Sequence, residues 1–102
     1  METERGQPTV VKKEMGITHK DFYAELPNLL EDIPYQQSED TTRFKLHGKK
    51  IEIMLGPEGV RELGRSVRLP VTVVILRFFY FSEEEVRDFI GHFNLKFMRG
   101  GG

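Results

Sequence analysis

The chain of 102 residues contains no cysteine and no tryptophan. The absence of cysteine excludes disulfides, thiolate metal sites and cysteine nucleophiles. No apolar run reaches the about 18 residues that cross a bilayer, and the polar start METERGQPT lacks the residue order of a signal peptide. We therefore expect a cytoplasmic protein that folds without disulfides and without a membrane.

Recognisable catalytic and cofactor motifs are also missing. His19, His47 and His92 do not stand at the spacings that pair two ligands on one helix face. The serines form neither a G-x-S-x-G nor an S-x-x-K pattern, and the glycines match neither a dinucleotide-binding loop nor a P-loop. We expect no catalytic residues, no metal and no cofactor, and hence a function other than catalysis.

The composition indicates a single globular domain. With 38% hydrophobic and 30% charged residues, the chain resembles neither a disordered nor a fibrous protein. Its length suits one domain and leaves little room for a second. We place that domain at residues 9–98, between a disordered tail at 1–8 and a flexible glycine tail at 99–102.

The net charge of −1 conceals an uneven distribution. Acids outnumber bases by five from His19 to Asp40, and bases outnumber acids by five from Thr41 to Arg77. The balanced total disfavours a nucleic-acid partner that is held by bulk electrostatics. The distribution has two interpretations. Either an acidic helix covers a basic sheet, or a basic strand surface meets an anionic partner.

The first third of the chain predicts a short edge strand and then a helix. Residues 9–15 contain the β-branched pair Val10 and Val11, and Thr18 resembles the start of a capping box. Apolar residues then recur at helical spacing: Phe22, Leu26, Leu29, Leu30 and Ile33. Pro27 inside this stripe predicts a kink or a break into two short helices.

Residues 43–55 predict a β-hairpin with Gly48 at its turn, because apolar and charged side chains alternate on both sides of it. Five apolar residues should face the core: Phe44, Leu46, Ile51, Ile53 and Leu55. The other face should carry Glu52 and a basic candidate surface for an anionic partner, formed by Arg43, Lys45, His47 and Lys50.

Residues 56–67 are ambiguous between a helical turn that starts at Pro57 and a wide loop. Three arginines in or beside this segment form a candidate anion site: Arg61, Arg65 and Arg68. The alternative is that they pair with Glu58 and Glu62 nearby.

Residues 71–81 are β-branched and aromatic on both alternating faces, so the strand should be central or covered twice. Ser82 and Glu85 form a capping box for a last helix. The apolar stripe of that helix should lie on the sheet: Val86, Phe89, Ile90, Phe93 and Phe97. A cavity between this helix and the sheet would have Arg77 and Tyr80 as its polar groups.

The element order β-α-β(3-4)-α predicts an α+β fold, in which two helices pack on one face of a curved antiparallel sheet. This order resembles that of TATA-binding-protein-like and START-type domains, where a long last helix packs on the concave side of such a sheet. The resemblance covers about residues 9–98 and includes no shared motif. The alternative is a ferredoxin-like fold, which would need a helix between the hairpin and the last strand.

The chain ends in three glycines. A terminal Gly-Gly resembles the tails of ubiquitin-like modifiers and sulfur-carrier proteins, and that resemblance implies a carrier terminus at Gly101 and Gly102. The alternative is an ordinary helix cap followed by a frayed end.

The sequence favours a small non-enzymatic module that binds a protein partner or associates with itself. If the helices cover only one face of the sheet, an apolar face of the last strand stays bare at Val71, Val73, Ile75 and Phe79. This predicts either a homodimer through the sheet or a sheet that curls and closes on itself. The alternatives are a carrier that acts through its terminal glycines and a domain that binds a small ligand or nucleic acid at the basic hairpin face.

Overall fold

The structure, a computed structural model, describes the backbone of residues 7–101 and the side chains of residues 7–97. Its elements are β1 (Thr9–Met15), α1 (His19–Leu30), β2 (Tyr35–Ser38), β3 (Thr41–Leu46), β4 (Lys49–Glu62), β5 (Arg68–Phe78) and α2 (Glu83–Gly101). The predicted α+β class is confirmed. Of the two predicted tails, residues 1–6 and Gly102 lie outside the described residues.

The five strands form one antiparallel sheet in the order β1-β5-β4-β3-β2. Three hairpins join β2 to β5 in sequence, whereas β1 lies beyond β5 at the opposite edge from β2. β5 therefore has a hydrogen-bonded neighbour on each side, as its apolar character predicts. Because β1 and β2 stay at separate edges, the sheet does not close on itself.

Both helices pack on one face of this sheet, which we call the covered face. The register aligns Ile51 with Phe78, Ile53 with Leu76 and Leu55 with Val74. These residues join one core cluster with Phe44 and with the apolar sides of the two helices: Phe22, Leu26, Leu29, Leu30, Val86, Phe89, Phe93 and Phe97. The inward orientation predicted for the hairpin is confirmed, with Leu46 partly buried at its end.

The helix ends follow the predicted caps. The Thr18 hydroxyl accepts a hydrogen bond from the Asp21 N–H at 3.0 Å. Ser82 and Glu85 exchange reciprocal hydrogen bonds between side chain and backbone, at 2.8 and 3.1 Å. These bonds satisfy N–H groups that lack partners within the helix.

The predicted break of α1 at Pro27 is wrong, because one helix runs from His19 to Leu30. Pro27 lies in the last turn, so its missing N–H removes only a bond near the helix end. Leu26, Leu29 and Leu30 on either side of it are at most 2% exposed, and their burial offsets that loss.

The β3–β4 connection is a two-residue turn, as the position of Gly48 predicts. His47 and Gly48 both have positive φ, at 54° and 78°. Two central residues with positive φ define a type I′ turn, whose twist matches that of the flanking strands.

Residues 56–62 form neither the helical turn nor the wide loop that the sequence suggested, and only residues 63–67 form a connection outside the strands. β4 continues to Glu62 and pairs with β5 from Glu58 opposite Thr72 to Glu62 opposite Arg68. The register shifts between Leu55 and Glu58, so Pro57 stands at an irregularity where a ladder N–H is not required. We call residues 58–72 the arm. Every side chain from Glu58 to Leu69 on it is exposed.

Candidate functional site

The face of the sheet opposite the helices, which we call the open face, carries a short apolar strip. Met54, Val71, Val73 and Ile75 point away from the helices and remain partly exposed. Phe79 follows on the same side, where its ring lies under the ammonium of Lys50 at 4.5 Å. The apolar face predicted at Val71, Val73, Ile75 and Phe79 is thus left uncovered by the described part of the chain.

Glu52 is the centre of an ion-pair network on the open face. Its carboxylate accepts a hydrogen bond from the Arg43 Nε at 2.9 Å and lies 3.8 Å from the Lys50 Nζ. Arg77, on the other neighbouring strand, places its Nε 3.4 Å from Glu52 Oε1. The Glu52 side chain is only 10% exposed. One nearly buried carboxylate therefore holds cations from three neighbouring strands.

The Arg77 guanidinium is held less completely than that of Arg43. Its Nε is close enough to Glu52 for electrostatic attraction, but that atom is buried and makes no hydrogen bond to any described residue. The Nη2 atom reaches the Met54 sulfur at 2.8 Å. Arg77 therefore joins the charged network to the apolar strip.

The open face keeps an excess of positive charge. Lys45 and Lys50 stand directly opposite each other on β3 and β4, where like charges repel. Among the described residues, Lys45 forms no ion pair. The described charged residues of this face are six cations and two carboxylates: Lys12, Arg43, Lys45, Lys50, Arg61, Arg77, Glu14 and Glu52. The face is well suited to an anionic partner.

A groove of about 590 Å³ adjoins these lysines at the end of β2. β2 begins opposite Phe44, so Lys45 has no strand partner on that side. The groove is lined by Pro34, Tyr35, Gln36, Arg43, Phe44, Lys45 and Lys50. Three of the four residues predicted for the partner surface thus line one concave site.

His47, the fourth residue of that predicted surface, lies elsewhere. The strand alternation that would put it beside Lys45 ends at Leu46, because His47 is the first residue of the turn. His47 lines a cavity on the helix side of the sheet.

The three arginines predicted as an anion site do not converge. Arg61 pairs with Glu14 on β1 at 2.6 Å, and Arg68 pairs with Glu62 at 2.9 Å. Arg65 stands in the turn at the tip of the arm. Arg61 and Arg68 stand on adjacent rungs of the β4–β5 ladder but on opposite faces, and their described partners are different carboxylates.

The helix-side cavity has a volume of about 410 Å³ and lies among the end of α1, the β3–β4 turn and the start of α2. Its lining is apolar below and acidic at the rim, with Leu30 and Phe89 among the apolar residues. Four carboxylates stand around it: Glu31, Asp32, Glu85 and Asp88. The Lys49 ammonium hydrogen bonds to Glu85 at 2.7 Å, and this bond, with the Ser82 N–H, lowers the pKa of Glu85.

Arg77 and Tyr80, which the sequence suggested as the polar groups of such a cavity, do not line it. Arg77 points to the open face, because strand alternation sets it opposite to Leu76 and Phe78. Tyr80 lies beyond the end of β5 with a positive φ of 68° and is 63% exposed. Of the cavity acids, Glu31 and Asp32 directly follow α1 and the other two lie on α2, and no local spacing in the sequence links those two segments.

Three other expectations concern metals, the membrane and the terminus. Residues 7–97 contain no cluster of three histidine or acidic side chains that could hold a metal ion. The described helices include none that is long and apolar enough to span a membrane. The predicted carrier terminus falls on Gly101, the last residue of α2, and on Gly102, which lies outside the described residues.

The chain matches no protein-family model, no curated protein and no solved structure. The resemblance to TATA-binding-protein-like and START-type domains thus rests on element order alone. Function has to be inferred from the surfaces of this chain.

Proposed function

We propose that the protein is a non-enzymatic binding module whose open face docks an acidic, amphipathic segment of a protein partner. One observation carries this proposal: the open face combines a partly exposed apolar strip with a surplus of cations. The strip supplies area whose burial favours association, and the cations select the sign of the partner's charge.

Charge argues against a second copy as the occupant of this face. Two open faces placed against each other would set one cation-rich surface against another. Like charges across an interface cost several kcal/mol. An acidic partner would instead relieve the existing repulsion between Lys45 and Lys50.

The chemistry of the face also favours a protein segment over a nucleic acid. Glu52 places a fixed carboxylate at the centre of the cation cluster, where it would repel a phosphate backbone. The strip consists mainly of Met54 and aliphatic side chains, and the Phe79 ring beside it already lies under the Lys50 ammonium, so bases find little free aromatic surface for stacking. Leucines and carboxylates of a peptide suit the strip and its lysines better.

The groove beside β2 is the expected position of the partner's carboxylates. Arg43 already donates a 2.9 Å hydrogen bond to Glu52, whereas Lys45 has no ion pair among the described residues and Lys50 lies 3.8 Å from Glu52. Lys45 and Lys50 should therefore contribute most to binding. Tyr35, which is 39% exposed, would contact the apolar part of the same segment.

The proposal is tested by titrating the isotope-labelled protein with a synthetic amphipathic helix that has leucines on one face and glutamates on the other. We expect amide resonances of residues 43–54 and 71–79 to shift. The double variant Lys45→Glu with Lys50→Glu should lose this binding, because it reverses the charge of two exposed side chains of the open face. Added salt should weaken binding to the unchanged protein.

A matched control reverses two exposed helix cations, Lys20→Glu with Arg87→Glu, and should bind the peptide nearly as the unchanged protein does. The proposal fails if the peptide shifts no resonance of the open face at low salt, or if the two double variants bind equally. Tighter binding of a duplex oligonucleotide than of the peptide would replace the protein partner with a nucleic acid.

A further inference from the structure

The arm exposes several large apolar side chains that the described fold leaves without packing partners. Four large apolar side chains near its tip are 45 to 62% exposed: Val60, Leu63, Val67 and Leu69. A two-stranded ribbon with no covering layer is marginally stable in water. Apolar side chains gathered on such a ribbon indicate a contact surface.

Cations alternate with these apolar residues. The ion pairs of Arg61 with Glu14 and of Arg68 with Glu62 join side chains that are 55 to 71% exposed. Exposed pairs of this kind contribute between 0 and about 1 kcal/mol, so both arginines can exchange partners at low cost. Arg65 at the tip forms no ion pair among the described residues. The tip thus presents positive charge together with leucine and valine.

The helix-side cavity is the chemical complement of this tip. Its apolar lining includes Leu30, Leu46 and Phe89, and its rim carries four carboxylates. Two of the four have cation partners, since Glu85 hydrogen bonds to Lys49 and Glu31 lies 3.7 Å from Lys96. Asp32 and Asp88 form no ion pair within the described part of the chain. The rim therefore remains net negative.

We propose that the arm tip of one copy inserts into the helix-side cavity of a second copy of this chain. Leu63 and Val67 would cover the apolar lining of the cavity, and Arg65 would meet Asp32 and Asp88 at its rim. The fit joins exposed apolar groups to an apolar lining, and positive charge to negative charge.

The fold lets two copies do this reciprocally. β4 starts at Lys49 beside the cavity and ends at Glu62 in the arm. Its 14 residues span about 46 Å at 3.3 Å per residue, close to the full 52 Å length of the molecule. Two copies side by side in opposite directions place each arm at the other's cavity, so a two-fold axis closes the assembly. The open faces stay free for the acidic partner.

Charge reversal on each side of this contact tests the proposal. Arg65→Glu changes only the arm, and Asp88→Lys changes only the cavity rim; both side chains are exposed. In sedimentation at rising concentration, the unchanged chain should form dimers. Each single variant should lower the association constant about tenfold or more, because a like-charge pair replaces an attractive one. Lys20→Glu, a matched reversal away from both surfaces, should leave the constant unchanged.

Mixing the two variants is the decisive step. In a mixed dimer, the arm of the Arg65→Glu copy meets the rim of the Asp88→Lys copy, so both charges of that contact are reversed and attract. At the second contact, the arm and the rim are both unchanged. The equimolar mixture should therefore dimerise more strongly than either variant alone.

The absence of cysteine allows an independent cross-linking test. Ser66→Cys places a thiol in the arm tip and His92→Cys places one at the cavity. Under mild oxidation, a mixture of the two variants should give mainly the mixed disulfide dimer.

Several outcomes would overturn the proposal. They are a monomer at all concentrations, unimpaired dimers of Arg65→Glu or Asp88→Lys, no recovery on mixing, and cross-links formed only between two Ser66→Cys copies. Assemblies that grow beyond the dimer would contradict the reciprocal arrangement, since an unclosed contact continues into filaments.

Discussion

The two faces of the sheet differ sharply although the same strands form both. On β5, Val74, Leu76 and Phe78 are fully buried, while Val73 and Ile75 between them remain partly exposed. Successive side chains of a strand point to opposite faces, so neighbours in sequence enter different environments. Both faces of β5 carry apolar side chains, and the face on which the helices pack is the one that is buried in the core.

The faces are also stabilised by different interactions. The covered face is held by aromatic packing, in which the Phe89 ring centroid of α2 lies 5.7 Å from that of Phe78 and 6.0 Å from that of Phe44. The open face is organised by charge around Glu52. Apolar packing does not discriminate between partners of different charge. The ion-pair network, in contrast, leaves a cation-rich face that suits an acidic partner.

The largest effect should come from truncating adjacent residues on the two faces. Leu76→Ala removes a fully buried side chain and should lower the free energy of unfolding by about 2–5 kcal/mol. Ile75→Ala acts on the open face and should cost about 1 kcal/mol, because the side chain is already partly solvated. Urea denaturation of both variants measures the difference. Equal losses would mean that the open face is buried in solution.

The next effect concerns Glu52. Glu52→Gln leaves Arg43, Lys50 and Arg77 close together without their shared carboxylate, and it should destabilise the protein by about 2 kcal/mol. The control Glu62→Gln disrupts an exposed pair with Arg68 and should cost less than about 1 kcal/mol. Thermal unfolding at low salt compares them. If both variants lose the same small amount, the network does not organise the open face.

A smaller, stabilising effect is expected in α2, which is one of the two helices that pack on the covered face. Gly91 lies inside α2 with open space where a Cβ would stand. Gly91→Ala should raise the free energy of unfolding by about 0.5–1 kcal/mol, since glycine is a poor helix former. The acidic peptide should bind this variant as it binds the unchanged protein. Weaker peptide binding would show that the two faces are coupled.

The smallest effect is a pH dependence at Glu85. The hydrogen bond from Lys49, followed by that from the Ser82 N–H, lowers the pKa of Glu85 in the folded protein. A lowered folded pKa stabilises the fold above the ordinary glutamate pKa of about 4.3, and this stability is lost as the pH falls through the lowered value. The stability difference between the unchanged protein and Glu85→Gln should therefore shrink on acidification. A difference that is constant with pH would contradict the assignment.

Much of the covered face could be predicted from sequence because its signals are local. Strand alternation identified the inward residues of β3 and β4, and the pair Ser82 and Glu85 marked the start of α2. Gly48 identified the hairpin turn for the same reason. Each of these features depends on residues close together in the chain.

The arm and the cavity could not be predicted in this way. Gly56, Pro57 and Gly59 are turn-like by local preference, yet the segment is a strand because residues 68–72 pair with it across the sheet. Two of the four acids at the cavity directly follow α1 and two lie on α2, and only the fold brings these segments together. The alternation of β3 predicts His47 on the open face, but the strand ends at Leu46 and His47 is the first residue of the turn.

The measurement that tests the central claim most directly compares two peptides on the same labelled protein. One is the amphipathic helix of leucines and glutamates, and the other replaces every glutamate with lysine. The open face should bind the first, with shifts at Lys45, Lys50, Val73 and Ile75, and leave the second unbound. Equal binding of both peptides, or shifts confined to α1 and α2, would contradict a binding surface on the open face.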